Sequence, residues 1–221
     1  MNPPGDVQDF SHASTVVIST GNVQLKGTLT LPVGAKAVVL FAHGSGSSRF
    51  SPRNIFVAGV LHAACIGSLL IDLLTPAEDA NYSTRFDIAL LTSRLIGATY
   101  WLATGSRTAG MRIGYFGAST GAAAALRAAA QFSGEIGAVV SRGGRPDLAG
   151  EDSLHKVLAP TLLIVGGDDA EVIQLNLAAY EYLTCEKQMQ IIPGATHLFE
   201  EPGTLEEAAR LAAVWFKDKL Q

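Results

Sequence analysis

Along this chain, short runs of unbroken apolar residues alternate with longer stretches in which apolar positions recur every three or four residues. Thr15 to Thr20 and Val23 to Leu31 are β-rich runs separated by Gly21-Asn22, a two-residue turn of hairpin type, and are expected as antiparallel strands at a sheet edge. Ala37 to Ala42 is apolar throughout, as a strand covered on both faces must be, and it runs into His43-Gly-Ser-Gly-Ser-Ser48. Ser51-Pro52 supplies an N-cap and a first-turn proline for a helix that stops at Gly67. The uncharged run Ile55 to Ile71 approaches bilayer length, but Gly67-Ser68 divides it into a helix (Ile55 to Ile66) and a strand (Ser68 to Ile71), the pattern of a buried βαβ unit. Thr84-x-x-Asp87 is expected to open a long helix with Ile88, Leu91, Leu95 and Ala98 on one face, ending at Gly105. Strands then follow before Gly117, over Ile136 to Ser141, Thr161 to Val165 and Lys187 to Ile192, with helices near Asp152 to Leu158 and Glu171 to Thr184 between them. Thr204-x-x-Glu207 reads as a capping box for a terminal helix with the stripe Leu205, Ala209, Ala212, Phe216 and Leu220.

Strands alternating with helices imply an α/β fold, with a mainly parallel central sheet flanked by helices on both faces. A length of 221 residues with 48% hydrophobic and 16% charged content suits one core, so a single domain over 1–221 is expected, with 1–13 a loose tail. A net charge of −4 and no run of Lys and Arg argue against a nucleic-acid partner. Cys65 and Cys185 stand far apart without a C-x-x-C, so both are expected as buried thiols and neither a disulfide nor a zinc site is indicated. Met1 to Phe10 has acidic residues and no apolar stretch, which suggests no signal peptide, no membrane partner and a cytoplasmic address.

The chemistry centres on Gly117-Ala-Ser119-Thr-Gly121, between an apolar strand and an alanine-rich helix. A chain that turns from strand to helix within one residue strains that residue and leaves no room for a Cβ two positions to either side, so glycines there and a serine at the apex describe a nucleophile elbow. The bland alternative is a serine N-cap in a glycine turn. A serine hydroxyl needs a base, itself oriented by an acid. Of five histidines, only His197 follows the final strand on a loop, where it can reach back over the carboxyl edge of the sheet. For the acid, Gly166-x-x-Asp169 after a buried strand favours Asp169 over its neighbour Asp168, with Asp72 a weaker alternative. Arg142-Gly-Gly-Arg145 ends a strand at the same edge, so Arg142 or Arg145 is a candidate for a substrate carboxylate, and His43 a candidate substrate contact. No phosphate-binding glycine loop and no histidine pair with metal spacing is present, so neither cofactor nor metal is implied.

His43-Gly44-Ser45-Gly46, Gly117-Ala-Ser119-Thr-Gly121, Gly166-x-x-Asp169 and Ala195-Thr-His197-Leu-Phe, in that order, resemble the α/β-hydrolase superfamily and within it the dienelactone hydrolase group. The resemblance covers nearly the whole chain. It implies Ser119 as nucleophile, His197 as base, Asp169 as its orienting acid, and backbone N–H groups of Ser45 and Thr120 as the oxyanion hole. The implied substrate is a small ester or lactone. Dienelactone hydrolases proper carry cysteine at the elbow where this chain has Ser119, which points to a general carboxylesterase. Acyl transfer or thioester cleavage uses the same triad, and a non-catalytic module would keep the fold alone. Only residues 142–160 separate the strand after the elbow from the strand before the acid, so little or no cap is expected.

Overall fold

A computed structural model describes residues 13–221; the expected tail, with His12, lies almost wholly outside the described residues. Eight strands appear in chain order as β1 Ser14–Thr20, β2 Val23–Thr30, β3 Ala37–Ala42, β4 Gly67–Ile71, β5 Arg112–Ala118, β6 Ile136–Arg142, β7 Thr161–Gly166 and β8 Lys187–Ile192. The helices are α1 Pro52–Ala63, α2 Pro76–Asp79, α3 Ile88–Thr104, α4 Thr120–Ala129, α5 Glu151–Leu154, α6 Ala170–Tyr182 and α7 Thr204–Leu220. The strands form one sheet in the order β1-β2-β4-β3-β5-β6-β7-β8. β1, β2 and β4 pair antiparallel, and every pair from β4 through β3 to β8 is parallel.

Side chains that alternate along a strand must leave by opposite faces, and the core divides accordingly. Leu40, Tyr115 and Val139 pack under α3 and α4, where Leu91, Leu95 and Ala123 to Leu126 meet them. Their strand neighbours Val39, Phe41, Phe116 and Val140 pack on the other face against Val57 and Leu61 of α1 and Ala209, Ala212 and Phe216 of α7. β3 and β7 are buried at every position, whereas β1 alternates between buried and exposed as an edge strand does.

Helix starts follow local competition for hydrogen bonds, and two differ from expectation. Ser51 caps α1, accepting the Asn54 N–H at 3.3 Å, with Pro52 behind it. α3, however, is capped by Asp87, whose carboxylate accepts the Leu90 N–H at 2.9 Å; Thr84 lies in a 3₁₀ turn, Tyr82–Phe86, because its carbonyl takes the Asp87 N–H. α7 has no capping box: Gly203 precedes it at φ 83°, the Thr204 hydroxyl donates back to Glu201 O at 2.7 Å, and Glu207 is held by Arg210. The reciprocal box forms instead at Thr75 and Glu78, ahead of α2. The helix expected over Asp152 to Leu158 is a 3₁₀ turn, Pro146–Ala149, followed by α5, with Gly150 at φ 83° between them. Cys65 is exposed rather than buried, because it ends the α1 turn in the left-handed conformation (φ 58°), and Cys185 is half-buried. Among the described residues no helix is long and apolar enough to cross a membrane.

Candidate active site

β5 becomes α4 across a single residue, Ser119, held at φ 51° and ψ −122°. That conformation costs a serine about 1–3 kcal/mol and persists only where its surroundings enforce it. They do so through two glycines: a Cβ on Gly117 would strike the backbone of Ala122, and one on Gly121 the carbonyl of Ala42. Ala122 to Ala125 are fully buried, so α4 lies close on the strand and the serine stands at the carboxyl edge of the sheet, half-buried.

The loop after β8 carries His197. Its Nδ1–H donates to the Asp169 carboxylate at 2.7 Å, with Asp169 the more buried of the two. Asp168 is exposed, and its N–H is bonded to Ala195 O. Glu201 braces the same loop by accepting from both the N–H and the hydroxyl of Thr196, at 3.0 and 2.6 Å, bonds that hold its pKa below the usual carboxylate value. Gly143 underlies it, since a Cβ there would lie 3.0 Å from the His197 carbonyl.

Ser119, His197, Ser45 and Arg142 border one pocket of about 200 Å³. Among the described residues Ser119 makes no hydrogen bond to His197, a contact that commonly tightens only once substrate is bound. Thr120 begins α4, so its N–H belongs to the unpaired first turn, and the Ser45 N–H likewise has no acceptor among the described residues.

The remaining candidates separate clearly. Arg142 is 6% exposed, its guanidinium lies 5.5 Å from the Phe199 ring centre, and its Nε and Nη1 have no acceptor among the described residues. Burial first, and then the like charge of Arg53, lowers its pKa to about 10, so it stays charged at neutral pH. Arg145 is instead held bidentately by Asp147 at 2.9 and 2.8 Å, away from the pocket. His43 has both ring nitrogens on backbone groups, leaving none for substrate. Asp72 accepts from the Arg49 N–H at 2.8 Å and from its guanidinium, a structural acceptor, while the carboxylate that His197 reaches is Asp169. Arg53 and Asn54 also line the pocket, a placement the helix start at Ser51-Pro52 could have signalled, since the first turn of α1 follows the glycine loop directly. Asn176, fully buried, donates to Gly144 O at 2.9 Å and so fixes the loop after Arg142; no sequence pattern marks it.

A parallel sheet that brings a serine elbow, an aspartate and a histidine in that chain order to its carboxyl edge defines an α/β-hydrolase fold. No family model matches the sequence. The crystal structure of a dienelactone hydrolase from Anabaena variabilis is 54% identical, covering 96% of this chain and 99% of that one with a TM-score of 0.93. The chain belongs to the dienelactone hydrolase family. An esterase of Pyrococcus furiosus shares the fold at 20% identity, with a TM-score of 0.77 over 100% of this chain and 98% of that one. Two curated relatives, from the CDC 1551 and H37Rv strains of Mycobacterium tuberculosis, carry the name phosphoribosyl transferase and are 58% identical over 205 residues, 93% of this chain. This chain spans 46% of their length.

Proposed function

We propose that the protein is a serine hydrolase of small carboxylic esters or lactones acting through Ser119, His197 and Asp169. The observation that carries this reading is the 2.7 Å bond from His197 Nδ1 to Asp169, in a pocket shared with a serine on a strained elbow. With the Nδ1–H given to Asp169, the imidazole presents Nε2 as the base. Ser119 Oγ attacks the acyl carbon as His197 takes its proton, and the tetrahedral oxyanion falls to the N–H groups of Ser45 and Thr120. His197 returns the proton to the leaving alcohol, and water repeats the sequence on the acyl-enzyme to release a carboxylic acid. The relatives' name belongs to proteins about twice as long, whereas the serine elbow and the His197–Asp169 pair lie within this chain and suit acyl transfer.

A fluorophosphonate probe with p-nitrophenyl acetate kinetics tests the reading. Ser119→Ala is expected to fold, take no label and lose nearly all turnover; Asp169→Asn is expected to cost about 10⁴-fold in kcat, as loss of the correct imidazole tautomer does, while Asp168→Asn costs at most a few-fold. A folded wild-type protein that neither labels nor turns over would be a binding module on a hydrolase fold.

A further inference from the structure

One buried imidazole sets the loop after β3, which carries the Ser45 N–H. His43 is 7% exposed and sits where β3 ends. Its Nε2 accepts the Leu73 N–H at 3.0 Å, so the ring proton must be on Nδ1, which donates to the Gly44 carbonyl at 2.9 Å. The same carbonyl takes the Ser47 N–H at 3.2 Å. Gly44 C=O and Ser45 N–H belong to one trans peptide, whose two polar bonds point in opposite directions. Holding the carbonyl on the imidazole side therefore turns the Ser45 N–H away from it, toward the open pocket that Gly44 and Ser45 share with Ser119. The peptide has little freedom to slide: a Cβ on Gly44 would lie 3.0 Å from Ser119 Cβ and 3.2 Å from the Ala118 carbonyl. One residue before Leu73, Asp72 secures the far part of the loop through Arg49.

We infer that His43 is a positioning residue, aiming the Ser45 N–H at the oxyanion by orienting the Gly44–Ser45 peptide. The inference rests on the serine-hydrolase reading for its catalytic consequence and on the hydrogen bonds above for its geometry. A histidine that merely packed the end of β3 would need neither nitrogen in particular, whereas here the Leu73 N–H, a donor just beyond β4, selects the tautomer and the tautomer orients the peptide.

Three substitutions separate the two bonds. An asparagine amide falls near the Nδ1 position and keeps a donor for Gly44; a glutamine reaches the Nε2 position and keeps an acceptor for Leu73; alanine keeps neither. With p-nitrophenyl acetate, His43→Ala and His43→Gln are expected to lose about 10²-fold in kcat at nearly constant KM, the scale of one missing oxyanion donor, and His43→Asn to recover most of it. Equal losses in Asn and Gln, or a loss confined to KM, overturn the inference. A second arm needs no turnover: ¹⁵N NMR of the wild type should show neutral His43 protonated at Nδ1, and the Ser45 amide resonance should move in His43→Ala and His43→Gln but not in His43→Asn. A proton on Nε2, or a Ser45 amide unmoved in His43→Ala, overturns it. If the wild type neither labels nor hydrolyses, the hydrolase reading fails while the NMR arm still decides the role of His43.

Discussion

Arg142 is a buried charge that the described residues only partly balance. A guanidinium this buried, with two nitrogens lacking acceptors among the described residues, is unfavourable by several kcal/mol unless an anion completes it. If that anion is a substrate carboxylate, Arg142 is the arginine that lines the Ser119 pocket, whereas Arg145 is already held by Asp147. A hydrogen-bonded charge contributes about 1.5–3 kcal/mol, or roughly 10- to 150-fold in kcat/KM. Arg142→Met is therefore expected to lower kcat/KM on p-nitrophenyl hemisuccinate at least tenfold more than on p-nitrophenyl acetate, the methionine preserving the contact with Phe199. Equal losses on the two esters would remove charge recognition from the site. The candidates Arg142 and Arg145 look alike in sequence; only the Asp147 carboxylate, two residues beyond the second of them, tells them apart.

At the scale of elements, the end of β4 holds the loop after β3 through residues that neither strand's pattern announces. Burial, opposed by the Gly44 bond and by Asp72 and Asp79, keeps the pKa of His43 below the ordinary imidazole value of 6.5. Burial lowers that of His62, which pairs with Ser68 at 2.8 Å between α1 and β4, in the same way. The unfolded chain thus takes up protons first as pH falls through 6.5. The stability from the neutral His43 is complete above that pH and declines below it, by at most about 1.4 kcal/mol per unit until the folded imidazole also titrates. Urea midpoints measured from pH 7 to pH 5 should fall more steeply for wild type than for His43→Asn; parallel curves would mean that the folded ring protonates as readily as the free one. The sequence made the strands legible wherever the apolar pattern was unbroken, as for Ala37–Ala42 and for Leu162 to Val165 within β7, and the elbow wherever two glycines were sterically required. It did not reveal which of two nearby cap residues would win, as at Thr84 and Asp87, because that depends on which carbonyl each neighbouring N–H finds. Gly166-x-x-Asp169 pointed to the aspartate that His197 reaches, whereas the Leu73 to His43 bond joins positions related only by the sheet.

Across the whole molecule, the pocket's size follows from what the chain does not insert. Residues 143–160 connect β6 to β7, and the Pro146–Ala149 turn and α5 occupy much of that span, packing against α4 and α6 instead of arching over Ser119. An acyl chain of more than a few carbons would leave a pocket of about 200 Å³ and lie in water, forgoing the roughly 0.8 kcal/mol that each buried methylene supplies. p-Nitrophenyl acetate or butyrate is thus expected to show a higher kcat/KM than the decanoate or palmitate below micelle formation; a constant that rises with length would reveal an apolar channel. The Arg142 guanidinium, which lines this open site, also bears on the end of the cycle. On the serine-hydrolase reading, cleaving an ester creates a carboxylate in the pocket that Arg142 lines, so the acid just formed is expected to compete for the site that made it. The product acid is thus expected to inhibit, and Arg142→Met to raise the inhibition constant of added acetate; an unchanged constant would mean that the guanidinium does not hold the product.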